Sequence, residues 1–180
     1  DEVLASSGAT RLRASLAAKR LGPQNWQLRS GGEFAGLDPA LWWPAATAPA
    51  WHPGAQRLAG QWQADLNASA AAASAKTLDA RLLGWRGQAQ LALHDSLLAG
   101  VPLQGQIKLD GRAPGWAVAG ELQAGANRAS LRGQLATTAG DDRWHVALDL
   151  PAPAALQPLA ELHPATAALH GAGNAAPSGQ

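Results

Sequence analysis

A five-residue phrase recurs along this chain and restricts what the chain can become. It consists of an apolar residue, any residue, a glycine, Gln or Glu, and a second apolar residue. It stands at Leu58-Ala59-Gly60-Gln61-Trp62, Leu103-Gln104-Gly105-Gln106-Ile107, Val118-Ala119-Gly120-Glu121-Leu122 and Leu131-Arg132-Gly133-Gln134-Leu135. Trp85-Arg86-Gly87-Gln88-Ala89 is a further copy, and Leu169-His170-Gly171 starts another. In every copy apolar and polar residues alternate with a period of 2, the signature of a strand with one face in water and one against something apolar. The glycine falls on the apolar side. There it removes a side chain where another surface or a ligand can approach the sheet closely. A bulge or a bend would use the same residue.

The alternation extends beyond the phrase. Leu12, Ala14 and Leu16 oppose Arg11, Arg13 and Ser15, which predicts a strand over 10–17, followed by a turn at Lys19-Arg20-Leu21-Gly22-Pro23. Trp26 and Leu28 begin a second strand, which Ser30-Gly31-Gly32-Glu33 interrupts. A third covers 57–66, with Leu58, Gly60, Trp62, Ala64 and Leu66 on one face. Further strands follow around Leu78, Ala80 and Leu82, around Ala89, Leu91 and Leu93 as far as His94-Asp95, and from Ala99 to a hairpin signal at Asp110-Gly111. The last three are carried by Trp116 to Ala124, Ala129 to Leu135, and Trp144 to Leu150. Their regular spacing is that of an antiparallel meander of about ten strands.

Four segments break the beat. Residues 36–56 hold Pro39, Pro44, Pro49 and Pro53 with Trp42, Trp43 and Trp51. Proline lacks the ladder donor, so this is a long loop. Its tryptophans either cap the edge of the core or form a plug that contacts lipid or a partner. Residues 67–76 are an Ala/Ser connector. In residues 151–164, Leu156, Leu159 and Leu162 recur at helical spacing around Pro158, which predicts a short helical segment. Residues 165–180 start one more repeat that is cut short. The chain begins at Asp1 without Met and breaks off within this repeat, so it is expected to be a single β-repeat fragment of a longer protein.

The composition narrows function. A formal charge of +1 with 15% charged residues gives no field suited to nucleic acid. With no Cys there is no disulfide, thiolate metal site or thiol nucleophile. His52, His94, His145, His163 and His170 show no metal-ligand spacing. No phosphate loop, dinucleotide fingerprint or nucleophile elbow occurs, and no acid and base are marked out as a pair. Neither an enzyme nor a cofactor is expected. No apolar run is long enough for a membrane-spanning helix.

Several phrases together carry a family resemblance. They are Leu37-Asp38-Pro39-Ala40-Leu41-Trp42-Trp43-Pro44, Ala124-Gly125-Ala126-Asn127-Arg128 leading to Leu131-Arg132-Gly133, and Asp142-Arg143-Trp144 leading to Leu148-Asp149-Leu150-Pro151-Ala152-Pro153. The chain resembles the repetitive periplasmic part of the TamB family, the translocation and assembly module proteins of the wider AsmA-like group. The resemblance implies a long β-sheet folded lengthwise like a taco shell with an apolar lining. It also implies a periplasmic parent protein anchored to the inner membrane. Such a bridge carries phospholipids between the inner and outer membranes, supports outer-membrane assembly and has an outer-membrane β-barrel partner, contacted through parts of the parent outside this chain.

The expected fold is therefore all-β, an elongated antiparallel meander curled into an open groove. The residues expected to line it against acyl chains are Trp62, Leu66, Leu91, Leu93, Val101, Leu103, Ile107, Leu109, Trp116, Val118, Leu122, Leu131, Leu135, Trp144, Val146, Leu148 and Leu150, with Gly60, Gly105, Gly120 and Gly133 giving room. A closed β-sandwich or barrel, acting as a structural or protein-interaction module, would show the same alternation. In the groove, Gly105, Gly120 and Gly133 are expected to line up, or nearly so, as a shallow trough. The sheet is expected to be cut before Thr10 and after Gly171. The end from about Pro164 is expected to be poorly ordered or paired with another chain.

Overall fold

A computed structural model describes residues 2–23, 25–39, 56–69, 84–111, 115–136 and 140–160. They form one antiparallel sheet whose strands lie side by side in chain order. The strands are β1 (Glu2–Ser7), β2 (Thr10–Gly22), β3 (Asn25–Leu37), β4 (Leu58–Ser69), β5 (Trp85–Leu98), β6 (Val101–Asp110), β7 (Trp116–Ala124), β8 (Asn127–Leu135) and β9 (Arg143–Asp149). The sheet does not close: β1 and β9 are its two edges. After β9 a 3-10 turn at Pro153–Leu156 runs into α1 (Gln157–Ala160). The strand expected around 78–82, most of the Pro/Trp loop and the end from Pro164 lie outside the described residues.

The register explains why so many residues of modest β-propensity form strands. Most ladder pairs along the middle of the sheet place like with like, although Leu4 faces Arg13 and Trp26 faces Arg20. One row crosses all nine strands as Ala5, Leu12, Phe34, Gly60, Leu93, Gly105, Leu122, Ala129 and Leu148. The row beside it on the same face reads Val3, Ala14, Gly32, Trp62, Leu91, Ile107, Gly120, Leu131 and Val146. The opposite face carries Arg13, Glu33, Gln61, Gln106, Glu121 and Ser130 in one row and Gln63, Gln90, Lys108, Arg132 and His145 in the next. A slip of one residue would exchange the two faces, so the register is strongly determined.

Several boundaries differ from the sequence expectation. Thr10 does not begin the sheet, because β1 pairs along β2. Gly31 and Gly32 do not interrupt β3; both are paired on either side. Lys19 to Gly22 extend β2 rather than turning, and Asn67, Ala68 and Ser69 extend β4 rather than opening a connector. Gly36 and Leu37 likewise belong to β3 rather than to the loop.

His94-Asp95 is not a strand end but a bulge inside β5, where Leu93 pairs with Gly105 and Ser96 with Leu103. The extra residue needs a left-handed backbone, supplied by Asp95 at φ 48°. Ser96 fixes the bulge from within: its buried hydroxyl accepts from Ala59 N at 3.0 Å and donates to Ala59 O at 3.0 Å. The bulge shifts the alternation by one, so that Ser96 and Leu98, rather than Leu97, follow the apolar face. Ala99 at φ 51° and Gly100 at φ 76° then make the two-residue turn into β6.

The compact part of the molecule lies at that end of the sheet. Val101, Leu103 and Ala124 are buried, and Leu98, Leu156 and Leu159 pack against them. The helical turn is held there by Asn127, which is only 1% exposed. Its Nδ2 donates to Ala124 O at 3.3 Å and Ala152 O at 2.9 Å, and its Oδ1 accepts from Ala152 N at 3.0 Å. Both backbone groups of Ala152 are thereby satisfied by one side chain, as a buried amide requires. Replacing it leaves the Ala152 N–H without this partner, while Ala152 O keeps its bond from Ala155 N at 3.1 Å. Asn127→Ala is expected to lower unfolding stability by about 2 kcal/mol in urea and to open the backbone after Ala152 to limited proteolysis, with the strand signal in circular dichroism retained.

Candidate functional site: an uncovered apolar sheet face

A sheet with one apolar face normally buries it against a second layer. Among the described residues the short helical turn covers only the end formed by Leu98, Val101, Leu103 and Ala124. Across the middle of β5 to β9 the face is open, and Leu91, Ile107, Leu122, Val146 and Leu148 are exposed. The sheet is hollowed there. Leu91, Leu93, Ile107, Leu122, Leu131 and Val146, with Gly105 and Gly120, line a depression of about 380 Å³ that reaches across five consecutive strands. This volume lies in the range of small-molecule sites. Its walls are apolar side chains and backbone. The twist of the sheet hollows the polar face as well, where Gln104, Gln123, Arg128 and Asp149 border a depression of about 660 Å³.

Nearly all residues expected to line a groove share this one face, but they do different things on it. Six line the hollow. Val101 and Leu103 are sealed beneath Leu156 and Leu159. Trp62 lies over Gly32 and beside Phe34, ring centres 6.3 Å apart, and its indole N–H donates to Ser30 Oγ at 3.0 Å. Leu66 stands between Leu28 and Gly87. Leu109 and Val118 face each other, as do Trp116 and Leu135. Trp144 lies over Gly133, and Leu148 stands beside Ala129. Leu150 falls outside the ladder, one residue past the end of β9.

The glycines do not line up. Gly105 faces Leu93 and Leu122, Gly120 faces Ile107 and Leu131, and Gly133 faces Val118 and Trp144. Successive glycines are displaced by two residues, so each is flanked by bulk rather than by another gap. Side chains directly opposite in an antiparallel pair have Cβ atoms only about 5 Å apart. A large ring therefore needs a small neighbour. A methyl group at Gly133 would run into the Trp144 indole, one at Gly32 into Trp62, and one at Gly60 into Phe34. At Gly105 it would meet Glu121 O and Leu122. Gly120 alone of the expected four has room: its nearest neighbours are Gln106 O at 3.6 Å and Ile107 Cγ1 at 3.8 Å. The expected trough reduces to an opening at Gly120, at the floor of the hollow.

Sequence reasoning missed part of the face. Val3 and Ala5 were hidden in a strand that was not expected, and Phe34 beyond a supposed interruption. Tryptophans also mark one rim: β3, β5, β7 and β9 each begin on or next to one, at Trp26, Trp85, Trp116 and Trp144. Trp26 receives the Arg20 guanidinium at 6.0 Å from its ring centre. The alternation of strand direction was the available signal, because every second strand starts at the same end.

Ionisable groups lie mainly on the polar face. Arg13 donates to Glu2 Oε1 at 2.7 Å, and this hydrogen bond, reinforced by the carboxylate charge, raises its pKa above the ordinary value. Both partners are exposed, so the pair anchors little. Asp65 accepts from Arg29 at 3.0 Å and Gln27 at 2.9 Å, joining β3 to β4. His94 stands 3.5 Å from Asp95 in the bulge. Among the described residues no three His, Asp or Glu side chains gather as metal ligands, and no helix is long and apolar enough to cross a membrane.

Compared with protein-family models, curated proteins and solved structures, the chain matches none of them. The sheet and its face therefore carry the functional argument. The glycine geometry makes a paired prediction. Gly133→Ala is expected to destabilise by about 1–3 kcal/mol through collision with Trp144. Gly120→Ala is expected to be neutral or to stabilise by up to about 1 kcal/mol through the lost flexibility of the unfolded chain. Urea midpoints of the two variants check both.

Proposed function

We propose that this chain is a segment of a lipid-carrying groove, in which the open apolar face holds the acyl chains of phospholipids. The observation that carries the reading is the continuity of that face: two adjacent rows of apolar residues cross all nine strands, and most of their length has no covering layer among the described residues. An exposed apolar surface of this extent marks a binding face. Its chemistry selects the ligand. Specific small-molecule sites combine an apolar wall with a few convergent polar groups. Here the side chains of the central hollow are hydrocarbon, which suits a ligand that is itself featureless hydrocarbon. Each methylene buried contributes about 0.8 kcal/mol before ordering costs, so even part of an acyl chain is worth holding.

Taken with the resemblance to the TamB family, this supports reading the chain as part of a periplasmic bridge between inner and outer membranes. That bridge belongs to a parent protein anchored in the inner membrane, with an outer-membrane β-barrel partner engaged through other parts of the parent. The role is transport and outer-membrane assembly rather than catalysis.

Mass spectrometry of organic extracts from the purified protein is expected to find phospholipid. A photo-crosslinker at Leu122 or Leu131 should capture it. Gly120→Leu fills the floor of the hollow and is expected to reduce that crosslinking several-fold while leaving circular dichroism unchanged. Reproducible absence of phospholipid, together with no binding of an apolar dye, would remove the lipid reading and leave a structural or protein-interaction module.

A further inference from the structure

The polar face of the sheet carries a trough of its own. The depression bordered by Arg128 and Asp149 shares Ala92 and Gln106 with a second depression of about 460 Å³, around Gln61, Gln63 and Gln90. Together they cross the strands from Gly31 on β3 to Asp149 on β9. At about 4.8 Å per strand spacing, this is roughly 29 Å.

Small residues keep the floor low. Gly31 stands between Ser15 and Gln63, and its φ is not positive. A Cβ there would meet only Trp62 O at 3.5 Å and Ser15 Oγ at 3.8 Å, which is ordinary contact. Neighbouring Gly32 must be small because the Trp62 ring lies on it; Gly31 answers no such demand on the other face. A glycine inside a strand weakens it, and one use of such a residue is to let a ligand come close to the backbone. Ala92, between Gln61 and Gln106, keeps the floor low on β5.

The walls are amides. Gln61, Gln63, Gln90 and Gln106 are all exposed around the central hollow. Gln90 Nε2 donates to Gln63 Oε1 at 3.2 Å. The Gln63 amide protons and the Gln90 carbonyl oxygen are left as a donor and an acceptor side by side. Gln104 donates to Gln123 Oε1 at 2.8 Å in the same manner farther along. The charges bordering the trough cancel: Lys108 and Arg128 stand with Glu121 and Asp149. A polyanion such as nucleic acid needs an excess of positive charge, and the trough offers none.

These properties select an occupant. A primary amide presents a donor and an acceptor in one plane, which matches two neighbouring hydroxyl groups. An uncharged wall suits an uncharged chain. The strand spacing is close to the length of one pyranose unit, so successive sugars meet equivalent side chains on successive strands. An extended peptide, at about 3.4 Å per residue, falls out of step. We propose that the polar trough binds a neutral glycan laid across the strands. Gln61, Gln63, Gln90 and Gln106 hydrogen-bond its hydroxyls, and Gly31 admits a sugar ring to the backbone. The inference stands independently of what the apolar face carries.

The full chain, followed by NMR, is titrated with maltohexaose, cellohexaose and chitohexaose. At least one is expected to shift the glutamine side-chain amide signals saturably and to bind about tenfold more tightly than its own disaccharide, because contacts repeat along the trough. Gly31→Leu fills the floor and is expected to weaken this binding several-fold. Gln90→Leu, at an exposed position, removes the paired donor and acceptor and should also weaken it several-fold. Gly120→Leu, on the opposite face, should leave sugar binding unchanged. No saturable shift with any of these sugars overturns the inference, as does binding that neither Gly31→Leu nor Gln90→Leu weakens. Tighter binding of a heparin hexasaccharide, a polyanion, than of every neutral one also overturns it.

Discussion

The contact on which the rest of the sheet depends is a bulky side chain set against a glycine across a strand boundary. Trp62 on Gly32, Phe34 on Gly60 and Trp144 on Gly133 repeat it on the same face. In a two-layered domain a second sheet or a helix would hold such rings in place. Here the rings lie down on the neighbouring strand, where the missing Cβ leaves a seat. The ring gains contact, and the glycine backbone, otherwise open to water, is covered. This allows a single layer to fix its own side chains, and it leaves the apolar face shallow enough to stay open.

Much of this architecture was legible in the sequence because period 2 is local. Leu103 to Leu109 and Val118 to Leu122 alternate without a break, and from β5 to β8 the meander follows from strands joined by short turns. What could not be seen were features that depend on a distant partner. Gly31-Gly32 resembles a loop until Trp62, thirty residues later, is found on top of Gly32. Ala99 reads as the start of a strand because an alanine with positive φ is rare. The bulge at His94-Asp95 is set by Ser96 bonding to Ala59, a partner on another strand. Asn127 looks like an ordinary hairpin residue, and its decisive bonds run to Ala152.

A meander in strict chain order is quasi-one-dimensional: each strand touches its two neighbours and little else. Stability is then close to a sum over adjacent pairs, with no central core to couple them among the described residues. The cluster of Val101, Leu103, Ala124, Leu156 and Leu159 is the exception. There strand pairing, a buried hydrogen-bonded amide and the helical turn act on the same few residues. That end is anchored, while β1 and β9 hold by one ladder each.

The same economy bears on what the face can recognise. One hydrogen-bonding group on that face, the Trp62 indole N–H, is already committed to Ser30. The polar side chains that border the hollow, such as Gln106, Glu121 and Ser130, alternate onto the other side of the sheet. A ligand on the apolar face can therefore be oriented by shape but not by directed bonds. For a compact polar molecule this is a poor site, because its donors and acceptors would be stripped of water without replacement. For a hydrocarbon chain nothing is lost, and small displacements along the rows exchange one set of methyl contacts for another. Weak positional preference, a defect in a site built for specificity, is what a surface needs if its occupant, as proposed, moves along it.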